Sequence, residues 1–568
     1  RVPVHHRNVS HSGAQQLALA TYCTRRLRAL CIAAGFGPQT EEVLDTFNRL
    51  IEPWGSRPVA ADNGWVSDIS DDNTPVEFSA AISEGRVQVR VLLEAQADAP
   101  TVAAHRRAAL ELTERLEREH GAYLGRFHRV ADLFMPEDMS GPFALWHSVV
   151  FDRDRPPMFK AYFNPQARGR ENSAALVAEG LARLGMRECY AAVGRTARRG
   201  PHLDELKYFA LDLTDDPSAR VKVYVRHHSA SPDDLERACS GAERYAPGEV
   251  SSFVRVMAGD RERLTRRATF TCTAFHEGSA KPSATTVYVP VCAYADDDAA
   301  VVDRVSAYLA AHGMDPAPYR NLIEGYANRK LEEGTGMQSW AAFRRLSGER
   351  LTVYLATEAR HVFPPGSIPA GTGDRLAFDD ANAAVSCVLG YDLGCHPCVR
   401  SIAESGDRAR AWAVARVLHE GGRHVARWLP LARVALDRAM RNGTLERLPQ
   451  TELGGSAAPG ELLRALEEAR PPSPDPRLVT IERAFAEHVD RLVATDDVER
   501  LAALAMLEVC ATQVSSALAQ AARLDAASCD AVAAAGRAYP ELASCIARVP
   551  AAVAAFGRGA LAAHAALW

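Results

Sequence analysis

Four short strands of one pattern recur at a nearly constant interval: Phe159-Lys160-Ala161-Tyr162-Phe163, Val221-Lys222-Val223-Tyr224-Val225, Thr286-Val287-Tyr288-Val289-Pro290 and Leu351-Thr352-Val353-Tyr354-Leu355. Their tyrosines stand 62, 64 and 66 residues apart. Such a period marks an internal structural repeat. Between copies lie a helical stretch, as at 173–184 or 298–312, and a further strand, as at 208–213 or 269–275. The unit therefore reads as one helix plus two strands. Upstream, helix is expected from about 10 to 50, a hairpin from Val76 to Ala81 and Val87 to Leu93 around Ser83-Glu84-Gly85, and helix again over 102–121.

Side chains alternate across a strand, so each copy divides into two faces. Arg220, Lys222, Tyr224 and Arg226 share one face, against Val221, Val223 and Val225. Lys160, Tyr162 and Asn164 oppose Phe159, Ala161 and Phe163, and Arg86, Gln88 and Arg90 oppose Val87, Val89 and Val91. In the last hairpin Gln338, Trp340 and Arg344 share a face, as do Thr352 and Tyr354 on the partner strand. A solvated sheet face should mix charges of both signs, yet these faces carry Lys, Arg and Tyr with almost no carboxylate. About ten strands in five repeats are expected to close into an antiparallel β-barrel, apolar side outward under a ring of helices and cationic side lining a lumen. The alternative is an open sheet whose polar face meets water.

The whole-chain balance makes that cationic face a local feature. With 66 Lys and Arg against 71 Asp and Glu, the net charge is -5, which argues against a general nucleic-acid or anionic-membrane surface. No apolar run reaches the roughly 18–20 residues of a membrane span, and the first ten residues lack an apolar signal core, so a cytoplasmic protein is expected. The 12 cysteines are scattered, which fits reduced thiols. At 568 residues the chain is expected to hold at least two domains.

A ring of Arg90, Lys160, Arg220, Lys222 and Arg344 suits a multiply charged anion such as a diphosphate. Tyr162, Tyr224, Tyr288 and Tyr354 add aromatic faces, each attracting a cation by roughly 0.5–2 kcal/mol. A site that binds an anionic leaving group while shielding a carbocation is what ionisation of an allylic diphosphate requires.

In these motifs, together with Asn73-Thr74-Pro75-Val76-Glu77-Phe78-Ser79 and Gly336-Met337-Gln338-Ser339-Trp340, the chain resembles the dimethylallyltryptophan synthase type of indole prenyltransferase. The six motifs appear in family order across residues 10–365. The resemblance implies an α+β fold, a prenyltransferase barrel of α-β-β-α repeats with an outer helical ring. It also implies transfer of a dimethylallyl group from its diphosphate to the indole of tryptophan or a relative, as in alkaloid and other secondary metabolism. No cofactor is implied to be required, with Mg or Ca at most stimulatory. By the same resemblance Glu77 accepts a hydrogen bond from the indole N–H, where its residue type alone would read as a structural ion pair. Arg90, Lys160, Arg220, Lys222, Gln338 and Arg344 are implied to bind the diphosphate, and the four tyrosines to shield the cation. Strand parity favours Arg344 over Arg345.

Two positions depart from the family pattern. Where relatives that prenylate indole C4 carry a lysine for the final ring proton, spacing back from Lys160 places His147, either a proton acceptor or a histidine merely facing the lumen. Lys207 and Asn164 stand where others bind the amino-acid carboxylate or carry a second tyrosine, which makes them candidate contacts to the aromatic substrate. Another aromatic acceptor, such as tyrosine, a cyclic dipeptide or an indole alkaloid, stays open, as does a noncatalytic barrel holding an anionic aromatic ligand. No Asp-Asp-x-x-Asp metal motif occurs, and Asp68, Asp71 and Asp72 read as turn residues.

After Pro364-Pro365-Gly366 the strand pattern stops, and an alanine-rich helical region follows, interrupted at 454–460 and 471–476. The expected domains are 1–368, the barrel, and 369–568, all helical. Cys395-His396-Pro397-Cys398, joined by Cys387 and His419 only through folding, is a weak zinc candidate. His419 and His424 miss zinc-protease spacing by one residue, and Glu482, Glu487, His488 and Asp490 read as a solvated helix face before a metal centre. The region is read as a scaffold or homo-oligomerisation module, a second enzyme, or a partner-binding module.

Overall fold

In a computed structural model, residues 17–61, 64–83, 86–201, 203–345, 349–367 and 369 are described, with 397–426, 457–470, 479–480, 482–483, 486–487 and 511–535 from the remainder. The chain divides into two compact units, one of residues 1–197 and 203–375 and another of 198–202 and 376–568.

Each repeat of the first unit builds two helices and a hairpin, one helix more than the strand period predicts. The first contributes α1 (Leu19–Ala33), α2 (Thr40–Gly55), β1 (Val76–Ser83) and β2 (Arg86–Glu94). The second contributes α3 (Val102–His120), α4 (Gly125–Phe134), β3 (Leu145–Asp152) and β4 (Arg155–Phe163). Then come α5 (Ser173–Arg183), α6 (Tyr190–Thr196), β5 (Asp204–Asp212) and β6 (Arg220–His227). The fourth has α7 (Pro232–Cys239), α8 (Glu249–Ala258), β7 (Thr269–His276) and β8 (Ala284–Val289). The fifth has α9 (Asp298–Ala311), α10 (Ala317–Tyr326), β9 (Gln338–Arg345) and β10 (Glu349–Ala356). Helix starts are fixed locally: Thr101 and Asp297 accept from backbone amides of α3 and α9, and Ser231 with Asp234 forms a capping box on α7.

The ten strands run antiparallel in chain order, and β1 pairs with β10 to close the barrel. Closure leaves no sheet edge and gives every strand an inside and an outside. Outward-facing residues such as Val221, Val223, Val225, Phe343 and Leu355 join helix residues such as Phe253 and Tyr308 in one annular core. The three valines are at most 1% exposed, a burial that contributes roughly 1.5–3 kcal/mol each. Phe163 packs against Phe127 and Phe134 of α4, with ring centroids 5.1 and 5.3 Å away. The core is therefore a sleeve, and the lumen is left for other chemistry.

Among the described residues of the second unit, helices span Pro397–Ser405, Arg408–Ala426, Ala458–Ala465 and Ala526–Ala535. They share an apolar cluster that includes Ile402, Trp412, Ala415, Leu462, Leu518 and Val532. Cys387, Cys395, His488 and Asp490 lie outside the described residues. No described helix is long and apolar enough to cross a membrane.

Candidate active site

The lumen holds two chambers that share a wall. The larger, about 680 Å³, is lined by Arg90, Arg155, Lys160, Arg220, Lys222, Arg244, Arg344 and Arg350, with Glu77, Asp212 and Glu243 as its carboxylates. The smaller is lined mainly by Ile69, Leu92, Trp146, Tyr208, Phe270 and Trp340, with Asp68, Asp71, Arg226 and Arg267 at its edge. Glu77, Leu92, Tyr162, Tyr224, Tyr288 and Tyr354 face both. The tyrosines form a continuous layer, with successive ring centroids 5.9, 6.0 and 5.8 Å apart. They are the four residues of the sequence period, brought side by side as the strand register steps by two residues from each tyrosine to the next.

Asp212 organises the cationic chamber. Its Oδ2 accepts from Arg220 Nε at 2.7 Å and its Oδ1 from Lys222 Nζ at 3.3 Å. Burial pushes this carboxyl up, but Lys222, Arg220 and Lys160 outweigh it and hold the group well below the ordinary carboxylate range. Three carboxylates do not neutralise eight cations. Burial, then neighbouring Arg220, pulls Lys222 down to about 8, and burial with Lys222 draws Lys160 well below the ordinary lysine value. Arg350 is lowered to about 8 by burial and by Arg90, and Arg344 to about 10 by burial and by Arg220. Among the described residues, the buried Nε atoms of Arg90 and Arg350 have no hydrogen-bond partner. Such a chamber gains by taking up a polyanion.

Glu77 is 6% exposed, and its Oε1 accepts from Ser339 Oγ at 2.7 Å. Burial raises its carboxyl to about 8, against the Ser339 hydrogen bond. In the aromatic chamber Asp71 holds Arg267 through two hydrogen bonds of 2.7 and 2.8 Å, and the Arg267 guanidinium lies 4.6 Å from the Trp340 ring centroid. Asp68 and Asp71 are thus wall residues as well as members of a turn. Asp72 keeps the turn role, accepting from Thr74 N at 3.0 Å.

Parity places Arg344 inside and Arg345 outside, the latter paired with Glu249 of α8. Four expected site residues stand elsewhere. Gln338 is completely buried on the outer face, donating from Nε2 to Asp298 O at 3.0 Å and accepting from Tyr319 Oη. The cause is an extra residue in β9: Leu355 pairs with Gln338 but Val353 with Ala341, so Ser339 and Trp340 both turn inward. His147 pairs with Ala161 and so faces outward too, its Nε2 2.8 Å from Thr113 Oγ1 of α3. Burial lowers it to about 3, so it is a neutral core histidine away from the lumen. Asn164 lies one residue past the end of β4, where alternation lapses, and its Nδ2 donates to Phe143 O at 3.2 Å. It ties down a loop and lines neither chamber. Lys207, beside an irregularity in β5, also lines neither, but its Nζ is 4.0 Å from Asp68 Oδ2.

Arg350 was missed although parity with Thr352 and Tyr354 signals it. Asp212 and Ser339 carried no such signal, since a lone carboxylate and a bulge are read only from pairing. Among the described residues no cluster of three or more His, Cys, Asp or Glu is placed to hold a metal ion.

The model of the tryptophan dimethylallyltransferase family matches residues 21–321. The chain belongs to that family. Its barrel is similar to a solved 6-dimethylallyl tryptophan synthase at 36% identity, covering 62% of this chain and 99% of the other, with a TM-score of 0.59. A second, 6-dimethylallyltryptophan synthase from Micromonospora olivasterospora in complex with DMASPP and Trp, is 36% identical over 61% of this chain and 100% of its own, with a TM-score of 0.58. A third, 5-dimethylallyl tryptophan synthase from Streptomyces coelicolor in complex with DMASPP and Trp, is 31% identical over 62% and 98%, with a TM-score of 0.56. The fold is thus that of the aromatic prenyltransferases, and as a member of this family the chain is a transferase.

Proposed function

We propose that this transferase moves the dimethylallyl group of dimethylallyl diphosphate onto the benzenoid edge of tryptophan's indole. The observation that carries the reading is the shared wall: a layer of four tyrosines and one carboxylate between an under-neutralised cationic chamber and an aromatic one. The diphosphate takes the cationic chamber, held by Arg90, Lys160, Arg220, Lys222, Arg344 and Arg350. As the C–O bond breaks, negative charge grows on the leaving group beside these donors, and the allylic cation forms against tyrosine faces. The indole lies across the layer with its N–H on Glu77, which Ser339 orients. Donation into the carboxylate enriches the ring, whose carbon attacks the cation, and a ring proton is then lost.

Tryptophan is favoured over a plain indole because the aromatic chamber is edged by both charge signs. Asp68 suits an ammonium and Arg226 a carboxylate, the two ends of a free amino acid. Ring position C6 is favoured by the two relatives at 36% identity, which bear that number in their names. Side-chain cations serve the diphosphate in this scheme, so turnover persists in EDTA. Residues 1–368 are proposed as the complete transferase and 369–568 as a separate helical scaffold.

Incubation with tryptophan and dimethylallyl diphosphate, followed by mass spectrometry and NMR of the product, tests the reading. A product without an added dimethylallyl group overturns it, and truncation after residue 368 with loss of all activity overturns the proposed boundary.

A further inference from the structure

Glu94, at the end of β2, is a buried carboxylate that the proposed reaction does not use. It is 1% exposed and accepts indole hydrogens on both oxygens: Trp146 Nε1 donates to Oε1 at 3.3 Å, and Trp65 Nε1 to Oε2 at 3.0 Å. Gln96 Nε2 donates to Oε2 at 3.4 Å. Burial pushes the carboxyl up to about 7, against the hydrogen bonds from Trp65, Ser67 and Trp146. An apolar residue would close a strand end without the desolvation cost of a carboxylate, so the position calls for a reason.

Trp146 supplies one. Its ring lines the aromatic chamber, with centroids 4.3 Å from Phe143 and 5.1 Å from Tyr208. An indole has one donor and no acceptor, so a single hydrogen bond at its edge fixes how the ring is turned within its packing. Tilt of that wall sets the angle at which a flat acceptor can lie against it. Small rotations about Glu77 would carry a different ring carbon to the tyrosine layer.

We propose that Glu94 is a positioning residue that selects the prenylated ring atom by fixing the plane of Trp146. This rests on the aromatic chamber being the acceptor site. A purely structural Glu94, tying the loop of Trp65 to the barrel, would change stability and leave the product unchanged.

The experiment compares the full-length wild type with Glu94→Gln, Trp146→Phe and the double variant, reading ring isomers by NMR and KM for both substrates. Glutamine offers one acceptor oxygen where two indoles need one each; the shorter Trp65 contact keeps it, and Trp146 loses its partner. In Glu94→Gln a second ring isomer should reach about a tenth of the product or more, with KM for tryptophan raised about threefold and that for dimethylallyl diphosphate unchanged. Trp146→Phe should shift the isomers similarly, and the double variant no further than Trp146→Phe alone. An unchanged isomer ratio in Glu94→Gln, or additive shifts in the double variant, overturns the inference. Should Glu94→Gln fail to fold, shown by lost binding of inorganic diphosphate, Trp146→Phe decides: an unchanged ratio overturns it. If the wild type forms no prenylated tryptophan, the acceptor reading falls and takes this inference with it. Product from the wild type with unaltered isomers sinks this inference alone.

Discussion

On one side of the tyrosine layer, Lys160, Lys222, Arg344 and Arg350 line one chamber, each pulled below its ordinary value by burial and by its neighbours. On the other, the Arg267 charge is already met by Asp71, Arg226 stands 3.6 Å from Glu205 Oε2, and aromatic rings make up the walls. The difference shows how one lumen can tell its two substrates apart. Uncompensated charge draws the diphosphate to a single chamber, and compensated charge keeps the other from competing for it. The tyrosines can serve both because a phenol offers a hydroxyl to one neighbour and a ring face to another.

The strongest way to break this comparison is to remove the carboxylate that faces both chambers. Glu77→Gln should lower kcat about a hundredfold or more, measured with tryptophan under saturating donor. It should also stabilise the fold at alkaline pH. The folded carboxyl titrates near 8 and the unfolded one near 4.5, so the native state holds the extra proton between those values and its stability falls as pH rises. The variant escapes that loss, and its Tm should exceed the wild type's by roughly 2–5 °C at pH 8.5 and match it at pH 4.

Next in size, Lys160→Ala and Lys222→Ala should raise KM for dimethylallyl diphosphate about tenfold or more, with KM for tryptophan nearly unchanged. An equal rise in both would show that the chambers are not electrostatically distinct. Because Glu77 gains charge and Lys222 loses it near pH 8, kcat/KM for the wild type should be bell-shaped around that pH.

Ser339→Ala sharpens the wall itself. The hydrogen bond it removes favours the ionised carboxylate, so the acidic limb of the profile should move upward, with kcat lowered about fivefold. Ser339→Thr should restore much of the loss. Smallest on turnover is His147→Gln, expected to keep kcat within about twofold while lowering Tm, since it breaks only the contact to Thr113 outside the barrel.

Much of the barrel is legible in the chain because a period of about 64 residues and strict alternation are local properties. They place Lys160, Lys222, Arg344 and the four tyrosines together without any knowledge of the turns. The second helix of the later repeats escaped notice, since α4, α6, α8 and α10 run only 7–10 residues and hide among loop residues.

What the sequence by itself determined is the repeat, the two-faced strands and the chemical character of the lumen, each a matter of which residue types recur at which spacing. Only the tertiary structure decided which side chains reach that lumen near irregularities. One inserted residue in β9 exchanged Gln338 for Ser339, the β3–β4 register sent His147 into the helical sleeve, and the end of β4 turned Asn164 to the backbone. Asp212 acquired its role only when β5 and β6 brought Arg220 and Lys222 to it. The physical reason is that strand register is fixed by pairing between distant segments, and a shift of one residue moves a side chain through the wall of the barrel.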